Sequence, residues 1–130
     1  MTRDERSEVI RKHLAAEGYH PELDGDGDVR FKVEGLTMFV AAAKKDERYY
    51  TVCLPNFWSL DTPQEVARAP KACHDVTKLV RGVKVMTVRD DTWCCLEAFY
   101  ESVDDLVASL PRCLRAIRGA AHEYAKAMRA

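Results

Sequence analysis

Three aspartates at every second position, Asp24, Asp26 and Asp28 in the stretch ELDGDGDVRF, are the first residues whose types and spacing could do chemistry. Alternating carboxylates open the calcium loop of an EF-hand. That loop also demands glycine at its sixth position, a bidentate glutamate at its twelfth and a helix on either side. Here Val29 stands at the glycine position, Gly35 at the glutamate position, and the following residues alternate like a strand. Asp-Gly pairs are equally what a tight turn uses, because glycine takes positive φ freely and an aspartate side chain bonds its own backbone. The segment therefore reads as a turn entering a strand, without a metal, and Glu34-Gly35 supplies the next turn.

Cysteine and histidine offer no better constellation. Cys73-His74 are sequence neighbours on a helical stretch, where successive side chains diverge by about 100°, so the thiol and the imidazole do not face each other. Cys94-Cys95 lie in a strand and point to opposite faces, which rules out a shared metal or an easy disulfide between them. The five cysteines include no C-x-x-C pair, and His13, His20, His74 and His122 have no ligand spacing in common. No glycine loop of phosphate-binding type occurs. Catalytic residues, metal ligands and cofactors are accordingly not expected, and the chain reads as a non-enzyme.

The elements that would position a site follow from capping and periodicity. Thr2-Arg3-Asp4-Glu5 is a capping box ahead of a helix running to about Glu17, with Gly18 as its stop. Val29, Phe31 and Val33 alternate with charged residues as a strand with one wet face. The segments 36–43 and 49–54 are apolar on both faces and belong deeper in the sheet. Thr62-Pro63-Gln64-Glu65 is a second capping box, opening a helix that Pro70 divides into a short first segment and a main helix. Residues 83–89 and 92–100 read as a hairpin turning through Asp90-Asp91. The last helical region opens at Ser102 and is kinked or broken at Pro111. The order is α-β-β-β-α-β-β-α, an α+β pattern with five mostly antiparallel strands in a single layer.

At 130 residues, 47% hydrophobic and 32% charged, the composition is that of one globular domain spanning residues 1–130. A net charge of −1 gives no global pull towards nucleic acid. The basic stripe Arg115, Arg118, His122, Lys126 and Arg129 reads as a solvated helix flank, so nucleic acid is not the expected partner. The charged N-terminus MTRDERSEVIRK is unlike a signal peptide, and no apolar run approaches the roughly 20 residues that span a bilayer. Membrane insertion is not expected, and the expected location is the cytoplasm.

This element order, the spacing DGDGDVRFKVEG, the segment VTKLVRGVKVMTV and the ending EAFYESVDDLVASLPRCLRAIRGAAHEYAKAM resemble the bacterial YbjN family. Its members carry the label of sensory transduction regulators, and their fold is similar to that of type III secretion chaperones. The resemblance implies a cytoplasmic, non-enzymatic, commonly dimeric α+β domain that binds proteins. It carries no individual functional residue across.

The residues themselves point to a surface in need of cover. Trp93, Cys95 and Phe99 share one face of the last strand and Cys94, Leu96 and Ala98 the other, so both faces seek burial. Helices one and three can bury one face; the second must meet helix two, a twin subunit or a ligand. Phe57 and Trp58, in the loop before helix two, either plug the end of the sheet or mark a partner site. The expected partner-binding or dimer residues are therefore Phe57, Trp58, Val76, Val80, Met86, Trp93, Cys95 and Phe99, serving a homodimer that takes a protein or peptide partner. The alternative is a small-molecule-binding or enzymatic domain with a pocket between the sheet and helix two, using Glu97 and Tyr100 as polar handles.

Overall fold

Thr2 starts the first helix as the capping box requires: its Oγ1 accepts from the Glu5 amide and its own amide donates to Glu5 Oε1. From this point the computed structural model, which describes all 130 residues, runs α1 (Arg3–Ala16), β1 (Glu22–Leu23), β2 (Val29–Val33), β3 (Leu36–Ala42), β4 (Tyr49–Leu54), α2 (Pro63–Leu79), β5 (Lys84–Val88), β6 (Asp91–Phe99) and α3 (Val103–Arg129). The α+β class stands. The strands form one sheet in the order β1-β2-β3-β4-β6-β5. There are six strands where five are expected, because the two residues of β1 pair antiparallel with Val29 and Arg30 of β2. A two-residue strand carries too few alternations to show as a period in sequence.

The chain resolves into two compact units. Unit 1 comprises Met1–Val52 with Glu97–Pro111, and unit 2 comprises Cys53–Leu96 with Arg112–Ala130.

In unit 1 the β2–β3 hairpin closes on Glu34 and Gly35, both at positive φ (50° and 84°), the left-handed pair that a two-residue hairpin loop requires. The aspartate segment is a turn held by side-chain caps, with Asp24 Oδ1 accepting from the amides of Asp26 and Asp28 at 2.9 and 3.0 Å. Arg3 closes it from α1, donating to Asp28 Oδ1 at 3.1 Å. Val29, Phe31, Met38 and Val40 are buried on the side where Ile10 and Leu14 of α1 are buried. Arg30, Lys32, Thr37 and Phe39 point the other way, set by the register Arg30 with Phe39 and Lys32 with Thr37.

In unit 2, α2 is continuous from Pro63 to Leu79, so Pro70 does not divide it. An interior proline costs roughly 3 kcal/mol. Pro70 stands on the exposed side of a helix whose Ala69, Ala72, Cys73 and Val76 are buried, and burying apolar side chains of valine size returns about 1.5–3 kcal/mol each. Similarly, α3 is one helix through Pro111, with Leu110, Cys113, Leu114 and Ile117 buried around the exposed ring. The second capping box is half made. Thr62 Oγ1 accepts from the Glu65 amide at 3.1 Å, but the Glu65 carboxylate goes to the Asp61 amide and to the Trp58 indole. The β5–β6 hairpin turns through Arg89-Asp90, one residue earlier than expected, with Val88 opposite Asp91 and Arg89 at φ 57°.

Candidate protein-binding surface

In each unit the face turned away from the helices carries partly exposed apolar side chains. In unit 1 the covered face is set by Tyr50, whose ring lies beneath the Arg6 guanidinium at 5.5 Å and edge-on to Tyr100 at 6.1 Å. Tyr49, its sequence neighbour, must therefore point away. There it donates its hydroxyl to Glu97 and packs its ring on Phe99, with centroids 5.1 Å apart. Phe99 is 71% exposed. A phenylalanine so placed leaves most of its ring in water, where burial by a partner would be favourable by about 25 cal/mol per Å².

In unit 2 the covered face is fixed by Thr92, whose hydroxyl donates to the Trp58 carbonyl at 3.0 Å and meets the Tyr124 hydroxyl at 3.1 Å. Cys73 of α2 hydrogen-bonds the same phenol, so α2 and the end of α3 lie on one side of the hairpin. Burial pushes the Tyr124 hydroxyl up to about 12 and raises the Cys73 thiol, leaving neither group suited to proton transfer or attack near neutrality. Cys94, on that side, is also pushed up to about 12 by burial. On the opposite side stand Trp93, directly across from Met86, and Cys95, directly across from Lys84. Trp93 and Met86 are half-buried, and the Trp93 indole donates to Asn56 Oδ1 at 2.9 Å.

The expected contact residues divide accordingly. Phe99, Trp93 and Met86 lie on the faces turned away from the helices of their respective units, Phe99 exposed and the other two half-buried. Val76 and Cys95 are 3% and 4% exposed and belong to the core, and Val80 is half-buried at the end of α2. Phe57 and Trp58 are half-buried, with ring centroids 5.4 and 6.1 Å from that of Tyr124. Sequence reading did not single out Tyr49 as Phe99's platform. The alternation of YYTVCL assigns the two tyrosines to opposite faces without saying which face is open. Glu97 and Tyr100 do not converge as handles of a pocket, since Glu97 accepts from Tyr49 and Tyr100 accepts from Ser109 at 2.9 Å. Along the basic stripe, Arg129 lies over Trp58 and Lys126 pairs with Glu123 at 3.2 Å. No helix is long and apolar enough to cross a membrane.

The sequence matches no family model and no curated protein. The fold, however, is shared with solved structures. An uncharacterized protein from Methanothermobacter thermautotrophicus aligns with a TM-score of 0.60 at 14% identity, over 93% of this chain and 97% of that one. YbjN from E. coli aligns with a TM-score of 0.63 at 10% identity, over 88% and 87%. The Yersinia pestis type III secretion chaperone SycH, solved in complex with a stable fragment of YscM2, aligns with a TM-score of 0.52 at 13% identity, over 87% and 98%. The resemblance expected from the sequence therefore holds at the level of fold, the α+β architecture common to YbjN and this chaperone.

Proposed function

We propose that the protein is a non-enzymatic binding module of the cytoplasm that works as a homodimer and takes a protein or peptide partner, with residues 1–130 acting as one domain. The observation that carries this reading is Phe99, 71% exposed on a sheet face with Tyr49 packed against it. An aromatic pair with one ring in water is the composition of an interface centre. Sharing a fold with a chaperone solved with its partner's fragment adds support without fixing the role. The raised thiols of Cys73 and Cys94 speak against nucleophilic chemistry by either.

The test is sedimentation equilibrium of the native chain and of Phe99→Glu at micromolar concentration. A dimer that the substitution converts to monomer, with an unchanged far-UV spectrum, is the expected result. A native chain that sediments as a monomer across the range would overturn the dimer.

A further inference from the structure

We propose that Cys53 and Cys95 are a modification site for hydrogen peroxide, which joins them in a disulfide linking β4 to β6. These strands are neighbours in the sheet. The two sulfurs approach to 2.7 Å, inside ordinary contact distance, and both cysteines belong to unit 2. Neighbouring strands bring directly opposed Cβ atoms to about 4.5–5.5 Å, at or just beyond the roughly 3.5–4.5 Å that a disulfide spans, so the two strands need close by only about 1 Å. Cys94, the adjacent thiol, lies on the other face of β6 and cannot compete.

A second observation concerns reactivity. Lys84 stands directly across from Cys95 in the β5–β6 register, which puts a cationic side chain on the neighbouring strand at that position, and positive charge near a thiol favours its thiolate. Cys95 is 4% exposed and Cys53 fully buried, so only a small oxidant gains entry, and Cys95 meets it first. The Cys95 thiolate attacks one peroxide oxygen, the O–O bond breaks and one water leaves once protonated, which converts the thiol to a sulfenic acid. The Cys53 sulfur then attacks the Cys95 sulfur; the S–S bond forms, the S–O bond breaks, and the departing hydroxide takes the Cys53 proton as a second water. Two thiols lose two electrons in total, and the peroxide is reduced to two waters.

The experiment treats the folded chain with hydrogen peroxide, then denatures it, counts thiols and maps peptides. The five thiols should fall by two, with Cys53 and Cys95 joined and the loss reversed by dithiothreitol. Cys53→Ser should trap Cys95 as a sulfenic acid that dimedone labels, and Lys84→Met should slow oxidation several-fold. To remove access as a limit, the unfolded reduced chain is also refolded in mixed oxidised and reduced dithiothreitol, where the same pair should form. Five thiols retained after both treatments, or a map joining other cysteines, would overturn the site. Oxidation of Lys84→Met at the native rate would overturn the part given to Lys84.

Discussion

Arg129 lays its guanidinium over the indole of Trp58, 5.4 Å from the ring centroid, while Tyr124 meets the same indole edge-on and Glu65 accepts its N–H at 3.1 Å. The loop tryptophan is thus fastened by α2 and α3 within unit 2. Trp58→Ala should cost about 2–4 kcal/mol in urea denaturation, somewhat below a fully buried tryptophan because part of the ring is open to water. Arg129→Ala should cost at most about 1 kcal/mol, the scale of an exposed cation–π contact. Unchanged stability of Trp58→Ala would mean that the ring is presented outward.

Asp28 makes a pH prediction of unusual sign. Burial, and after it the neighbouring Asp24, raise its pKa above the ordinary value, with the Arg3 guanidinium only partly opposing them. A carboxyl whose folded pKa is raised contributes stability that is fully present below its unfolded pKa, near 3.9, and lost as pH rises through the folded value. Ionised Asp28 therefore works against the fold at neutrality. Asp28→Asn should melt at or above the native temperature at pH 7, and its advantage should shrink as pH falls through the carboxylate range. Glu5 and Asp75, lowered by hydrogen bonds to Thr2 and Lys71, carry the opposite sign but are common to both proteins and cancel in the comparison. An advantage that grew on acidification would contradict this account.

Pro70 is exposed in the interior of a continuous helix, so its position lacks one backbone donor and gains nothing from burial. Pro70→Ala should raise stability by about 1–3 kcal/mol. The helix propensity of alanine and the restored hydrogen bond are partly offset by the greater freedom of the unfolded chain. Chemical denaturation reads this directly, and a loss of stability would mean that the ring sets a bend the fold needs.

The same residue shows where sequence reading succeeds and where it stops. Caps and turns are local, so Thr2 with Glu5, Gly18, and Glu34 with Gly35 each announced the structure they make. Pro70 misled, and at Pro111 the break, one of the two readings open there, does not occur, because the prolines' local cost is outweighed by apolar neighbours on the helices' buried sides, a term that belongs to tertiary packing. Glu65 looked like a capping-box partner, and its diversion to Trp58 depends on a ring that reaches it only in the folded state. Alternation in β6 puts Trp93 and Cys95 on one face within unit 2, across from Met86 and Lys84, yet nothing local distinguishes Cys95, 4% exposed, from Phe99, 71% exposed in unit 1. That difference depends on what surrounds each position on its own unit's face.

Thr92 is the buried polar residue on which unit 2 most depends. Its side chain is 0% exposed and its hydroxyl joins the Trp58 carbonyl to the Tyr124 hydroxyl, which also shares a hydrogen bond with Cys73. Thr92→Val preserves shape and strand propensity but strands the carbonyl and disturbs the phenol. Leaving a buried polar group unsatisfied costs about 1–3 kcal/mol, so the variant should lose stability on that scale with little change in secondary structure. Because Trp58 is held by the same hydroxyl, its fluorescence should shift to the red before the main unfolding transition. Thr92→Ser keeps the hydroxyl and should recover most of the loss; if Thr92→Ser were as unstable as Thr92→Val, the methyl's packing, and not the hydrogen-bond network, would be what holds this corner together.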